Sequence, residues 1–450
     1  MLSALLLAPV FFAPFQEDEA QAPRGRALVF RVDRIETLDG EALENAVVLV
    51  REGIIEKMGR AVVIPDRAVV HDLRGQGSVL MPPLVLGHAG FLVEDSRGFG
   101  RNSRHTASDS LWLDEDTLED LRAEGVLLIG VDPPGSGIPG RTSVISSVSE
   151  SPRPEPVIGD LHLKVTLDAS TRGKDAVRDA FKNAEEAIQK ESDARAAWEK
   201  ARKEWEEKEK KKAEDAKKAG EDKKKGEGKK AAEGKPEDGK KGAGEEEKAP
   251  PEEFTPPEIG ADLEPIVEWV QGKRVAEIWL DNAAEWLHWR EVIGDREHAR
   301  GIVFRHGQTT NLFEIADGVA EAGVRVDLPA RMSFLPYTRL RCNLPAEFLA
   351  AGVENLTLSP ASDSLTGVRE WRARLAHLVA EGLDRSAALK AVTVGPAVSL
   401  GVEDRVAPLA SGGKANFMVL DGDPLDPVSQ VRFLVADGEV VWDRSKEEDA

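Results

Sequence analysis

The chain has 450 residues, 60 of them Lys or Arg and 81 Asp or Glu, for a formal net charge of −21 at pH 7. The excess lies outside one segment: residues 171–250 hold 24 basic and 22 acidic residues, while the other 370 hold 36 and 59. Such a surface excludes nucleic acid and anionic lipid as partners, because phosphate recognition needs Lys and Arg clustered on one face. The single cysteine, Cys342, excludes an internal disulfide framework and a cysteine-based metal cluster, and reads as a small buried apolar residue.

The N-terminal stretch "MLSALLLAPVFFAPFQEDEAQAPRG" opens with an apolar run from Leu2 to Phe15. That run is short for a membrane span, which needs about 20 residues, and suits a secretory leader although no Lys or Arg precedes it. Residues 1–22 are therefore expected to be a signal peptide, which implies export to the periplasm or the exterior and no membrane span after its removal. Residues 26–80 then alternate apolar and polar positions, with Asp39-Gly40 and Glu52-Gly53 between runs. Residues 405–446 read the same way, with Asp437-Gly438 as a hairpin turn, so the two ends are expected to form one small composite β-sandwich.

Over 81–404 the pattern becomes apolar strand, polar turn, amphipathic helix. Strands are expected at 84–92, 125–131, 142–147, 161–167, 274–280, 301–305, 323–328 and 355–358, and helices at 114–123, 283–292, 312–321 and 344–351. Strands alternating with helices imply a parallel sheet, and eight such units fit an α/β fold of the TIM (β/α)8 barrel type. Residues 173–257 break the rhythm as a charged insertion. Its first part is helical, with Val177, Phe181, Ala184 and Ile188 on one stripe and Trp198 and Trp205 seven residues apart, a coiled-coil-like spacing. From about residue 220 it is low-complexity and cannot bury enough apolar surface to order itself. It is expected to be a tolerated surface insertion or an arm for a protein partner.

Few motifs carry chemistry. "GSGIPG" at 135–140 has dinucleotide-loop spacing, but Pro139 interrupts it and an extended segment follows, so it reads as a turn-rich loop. The sequence contains no P-loop, no G-x-S-x-G elbow and no H-E-x-x-H. What remains are His88 and His306, near the C-terminal ends of predicted strands, where this architecture places its chemistry.

The segment "GLDRSAALKAVTVGPAVSLGVEDRVAPLASGGKANFMVLDGDPLDPVSQVRFLVADGEVV" at 382–441, with "ENAVVLVREGIIEKMG" and "VVHDLRGQGSVLMPPLVLGHAGFL" near the front, resembles the amidohydrolase superfamily and in particular its imidazolonepropionase-like members. The resemblance spans most of residues 26–444 outside the insertion. It implies a barrel flanked by a β-sandwich, one or two divalent ions at the barrel mouth, and metal-dependent hydrolysis of carbon-nitrogen bonds in cyclic amides or related small molecules. A bound divalent ion brings the pKa of water from 15.7 to near 7.

Carried over position by position, the resemblance places metal ligands at His88, Lys164, His306 and Asp363. Asp363 is also the catalytic residue that takes the proton of the attacking water. Lys164 shares a face with His162 and Thr166, and serves as a ligand only if neutral or carbamylated. The second imidazole of the first strand is replaced by Gly90, and the fifth strand offers Trp279, Leu280 and Asp281 where a histidine is expected. Two readings follow. The protein is either a mononuclear hydrolase with one zinc or similar divalent ion, or a metal-free, catalytically silent relative kept for ligand binding.

Overall fold

The computed structural model describes residues 26–93, 99–149, 151–167, 170–224, 249–294, 296 and 300–446. The leader expected over 1–22 and most of the low-complexity stretch lie outside the described residues. The chain forms two compact units: one draws on the chain up to Leu84, Leu121–Leu127 and the chain from Gly401, the other on Val85–Asp120 and Leu128–Leu400. Among the described residues, no helix is long and apolar enough to cross a membrane.

The first unit is a single eight-stranded sheet into which both chain ends are woven. Leu28–Ile35 pairs antiparallel with Leu43–Arg51 and parallel with Val79–Met81. Val79–Met81 in turn pairs antiparallel with Phe417–Leu420, which continues through Val431–Ala436 to Glu439–Asp443. Alternation puts Phe30, Val32, Val48, Phe417, Val419 and Phe433 in one core, and Val29, Val47 and Leu49 in a second cluster. Two hairpins turn where the sequence places Gly: Glu52-Gly53 and Asp437-Gly438 all have positive φ. Both turns thus have the dihedral signs of the tight type that matches strand twist.

The second unit supplies eight strands in the expected places. They are β1 (Leu84–Ala89), β2 (Val126–Val131), β3 (in two pieces, Ser136–Arg141 and Ser143–Ser146), β4 (Leu163–Thr166), β5 (Ala276–Leu280), β6 (Arg300–Phe304), β7 (Arg325–Pro329) and β8 (Leu356–Ser359). From β4 to β8 neighbours pair in parallel. Beyond β8, the Leu358 N–H donates to the Ala391 carbonyl (2.9 Å) and the Val85 N–H to the Val392 carbonyl (3.0 Å), so one short segment bonds both the last strand and the first.

The all-parallel expectation fails at β3, which runs antiparallel to β2 and to β4. The reason is chain length. Only four residues separate Val131 from Ser136, whereas a parallel return needs a crossover of a dozen or more. "GSGIPG" is corrected with it, since most of it lies in strand β3 rather than in a loop. A Cβ at Gly137 would sit 2.7 Å from the Gly100 carbonyl oxygen and one at Gly140 2.6 Å from that of His105. Close backbone approach, not phosphate binding, calls for these glycines.

The insertion opens as one helix, α1 (Thr171–Lys224). Val177, Phe181 and Ala184 are buried as the stripe predicts, while Ile188 is half-buried. Phe181 packs on Trp269 with ring centroids 4.9 Å apart, and Trp269 stacks on Trp289 at 6.2 Å. Cys342 is buried.

Gly130 in β2 is a point where the sheet tolerates no side chain. A Cβ there would run into the Gly87 carbonyl oxygen of β1 and lie 2.9 Å from Leu400 Cδ2. Gly130→Ala should lower stability by about 1–3 kcal/mol, the usual cost of overpacking, readable as a lower urea midpoint with an unchanged slope.

Candidate functional site

Strand register builds the site. Lys164 lies opposite Glu277, Glu277 opposite Gly301, and Gly301 opposite Arg325. The layer two residues on holds Thr166, Trp279, Val303, Asp327 and Thr357. Since i and i+2 share a face, one face of this sheet carries the polar side chains. The opposite face carries Val165, Ile278, Ile302, Val326 and Leu358, all buried. His88 near the end of β1 and Asp132 just past β2 complete the polar interior.

At its centre is a buried charge cluster. His88 Nδ1 lies 3.2 Å from Asp132 Oδ2 and 3.7 Å from Glu277 Oε2. Glu277 Oε1 lies 2.9 Å from His162 Nδ1 and 3.7 Å from the Arg325 guanidinium. Burial alone would push the His88 imidazole down, but the Glu277 and Asp132 carboxylates outweigh it and hold its pKa up at about 10. Burial likewise opposes ionisation of Glu277, yet His162, His88 and Arg325 hold its carboxyl well below the usual range. Asp327 is different. Burial raises its pKa, and it accepts hydrogen bonds from Ser359 Oγ (2.5 Å) and Thr357 Oγ1 (2.8 Å).

Above the cluster lies the mouth, a cavity of about 180 Å³ lined by Phe91, Trp279, His306, Arg331, Ser362 and Asp363 among others. Trp279 is flanked by cations, with Lys164 Nζ 4.0 Å and Arg305 Cζ 5.0 Å from its ring centroid. Lys164 also donates to the Pro133 carbonyl (3.0 Å), and burial pushes its pKa down. His306 donates Nδ1–H to the Gly307 carbonyl (2.8 Å), leaving Nε2 buried with no partner. Burial, with Arg331 nearby, lowers its pKa to about 4.

Asp363 stands exposed at the rim with its carboxylate turned inward. Oδ1 accepts the N–H groups of Gly90 (3.1 Å) and Phe91 (3.3 Å). The surrounding protein and Asp132 raise its pKa against those two bonds. A Cβ at Gly90 would meet Asp363 Oδ2 at 2.7 Å, so the carboxylate fills the space of a side chain at 90. Asp281 is half-exposed and pairs with Arg305 at 3.5 Å.

The structure thus brings His88, Trp279, His306 and Asp363 to one pocket and seats Lys164 against Trp279. The metal centre implied by the resemblance does not fit this mouth. Position 90 has no ligand, the Asp363 carboxylate bonds the backbone, the Lys164 ammonium is held by a carbonyl and a ring, and an indole stands at 279.

Lower down, His88, Asp132 and Glu277 offer one ligand atom each, all within 4.8 Å of one another, a group able to hold a metal ion. Sequence reasoning missed Asp132, Glu277, Arg325 and Asp327. For Glu277, Arg325 and Asp327 the signal is a charged residue inside an apolar strand, as in "AEIWL" and "RVDLP".

Glu277 faces His88, His162 and Arg325, from three chain segments. Glu277→Gln should destabilise the chain by about 3–5 kcal/mol, since removing one partner strands buried charge, whereas Glu253→Gln on the exposed surface should shift the denaturation midpoint little.

The chain matches no protein-family profile and no curated protein sequence. Among solved structures it is similar to an amidohydrolase from Thermotoga maritima MSB8, with 21% identity over 93% of this chain and 100% of that one and a TM-score of 0.67. It is also similar to an uncharacterized protein, with 15% identity over 92% and 99% and a TM-score of 0.50. Taken with the mixed α/β architecture, the chain has the fold of an amidohydrolase.

Proposed function

We propose that this protein is an amidohydrolase-type barrel with a separate β-domain, in which the mouth of the barrel serves as a binding pocket for a small molecule and the metal-based hydrolysis of carbon-nitrogen bonds has been lost. The observation that carries this reading is the Gly90–Asp363 contact. The residue suited to act as general base commits Oδ1 to two backbone N–H groups and sets Oδ2 in the space that a side chain at position 90 would take. A general base must reach the proton it abstracts, and a catalytic zinc needs three protein ligands plus water. Trp279, fixed between Lys164 and Arg305, supplies neither.

A second reading rests on one observation below the mouth. Asp132 Oδ1 and Glu277 Oε2 are buried without hydrogen-bond partners. One nitrogen and two oxygens from separate strands are a donor set that zinc accepts. There the ion would be held by His88, Asp132 and Glu277, and its role would be to hold the interior together.

Zinc content by mass spectrometry, on full-length protein expressed with and without added zinc, separates these. The binding-pocket reading expects substoichiometric zinc in both, and no turnover of a panel of cyclic amides and dipeptides. One equivalent of zinc lost in Glu277→Gln but kept in His306→Ala would establish the lower site instead. Zinc lost in His306→Ala, together with turnover abolished by Asp363→Ala, would overturn the binding-pocket reading.

A further inference from the structure

Trp279 Nε1, Arg331 Nε and His306 Nε2 are buried polar atoms of the mouth's lining with no hydrogen-bond partner, and the last two are a charged donor and an acceptor. Arg331, two residues past β7, is half-buried; its Nε is shielded from water and finds no acceptor, and no carboxylate among the described residues pairs with it. His306 keeps its proton on Nδ1 for the Gly307 carbonyl, so the buried Nε2 presents a lone pair with nothing to accept from. Unmet polar groups in a recess cost stability unless a ligand or water meets them.

The acidic groups nearby do not answer Arg331. Asp363 Oδ1 accepts the N–H groups of Gly90 and Phe91, Asp327 accepts from Thr357 and Ser359, and neither carboxylate forms an ion pair with Arg331. Arg374 adds positive potential at Arg331. Much of the rest of the lining is apolar, with Phe91, Val303, Phe304, Pro329, Pro360 and Ala361, and its other charged members, His88 and Arg305, are paired with Asp132 and Asp281. The cavity, at about 180 Å³, is below the ~300–1,000 Å³ typical of pockets for drug-sized ligands.

From these complementary demands we infer that the mouth binds a compact organic carboxylate carrying an N–H or O–H donor, with the carboxylate on Arg331, the donor on His306 Nε2 and the apolar remainder against Phe91 and Pro360. A guanidinium matches a carboxylate in shape and charge. A lone-pair acceptor discriminates for a donor, because an analogue lacking it leaves Nε2 unmet. The inference rests on reading the mouth as a binding pocket.

The test is calorimetric titration of the full chain with N-acetyl-L-alanine, its methyl ester and its N-methylated form. The acid should bind, and the ester roughly tenfold to a hundredfold more weakly, the range for losing a charged hydrogen bond. N-methylation should weaken binding by roughly threefold to tenfold. Arg331→Gln should erase the preference for acid over ester and keep the preference for the N–H. His306→Phe should do the reverse, and Arg331→Lys, which keeps the charge, should retain part of the acid preference.

An acid that binds no tighter than its ester, variants that leave both preferences intact, or no binding of any of the three would overturn the inference. Zinc and hydrolysis of N-acetyl-L-alanine are measured on the same samples. Stoichiometric zinc with turnover defeats the metal-free reading, while the pattern across Arg331 and His306 variants still decides the ligand class.

Discussion

The Glu277 carboxylate is the group around which the second unit is assembled. It is 2% exposed, and taking an ion out of water costs several kcal/mol even after the protein relaxes. The compensation comes from three places in the chain: His88 on β1, His162 just before β4 and Arg325 on β7. Asp132, past β2, shares His88 with it. None of these strands can be withdrawn without leaving a buried charge unmatched. An apolar interior of the same volume would be about as stable, but it would not define the register so sharply. A one-residue slip of β5 would carry Glu277 onto the face now formed by Ile278 and its apolar neighbours.

The same register explains the mouth. Trp279 is two residues beyond Glu277 and so projects from the same face, one layer up. Its indole gives Lys164 and Arg305 a π surface each, and such contacts gain strength where water is excluded. Lys164 is also balanced by the potential of Asp132, Asp363 and Glu277. Carboxylates in this interior therefore meet ammonium, guanidinium and imidazolium groups of the chain itself. The positive charge that a divalent ion would bring to such a mouth is already present in side chains. This is why the cluster closes electrostatically and why the mouth above it is left with an unpaired guanidinium.

The strands were legible because apolar runs punctuated by Gly, Asp and Asn have no other reading. All eight runs of the central region form strands, and the helix expected at 283–292 forms, with the Asn282 side chain accepting from the Glu285 N–H as its cap. The direction of β3 was legible too, since even the expected link from Val131 to a strand at 142 is shorter than the dozen residues of a crossover, but a periodicity reading does not weigh connection length. Within the site, His88 and His306 stood out as rare residue types, and Gly90 as a missing one. Glu277 and Asp327 did not stand out. A carboxylate in the middle of a short strand looks like its solvent-facing half until the strand is known to be covered on both sides, and coverage is a property of the assembled fold. His162 is the intermediate case: its alternation with Lys164 was visible, its partner Glu277 was more than a hundred residues away.

The long charged segment between β4 and β5 follows from what a parallel pair requires. Parallel neighbours need a crossover, normally a helix laid on the sheet, and the opening turns of α1 provide that cover: Val177, Phe181 and Ala184 are buried, with Phe181 against Trp269. Two ion pairs fix the helix to the next crossover, Arg178 to Glu291 and Arg296 to Glu185, both at 2.6 Å, and Arg296 also lies over the Phe181 ring. From residue 191 to 215 the helix buries little. It is supported by i,i+4 pairs such as Arg195 with Glu191 and Arg202 with Glu206, each worth only a few tenths of a kcal/mol. The returning chain adds a second hold, where Trp198 Nε1 donates to the Pro251 carbonyl at 3.0 Å and Phe254 lies between Trp198 and Arg195. Loop-closure entropy grows only logarithmically with length, so extending a helix that the fold already needs adds many residues at small thermodynamic cost. The polar interior on the opposite side of the sheet is untouched by that extension, since every contact of α1 named here falls on the crossover helices or on the returning chain.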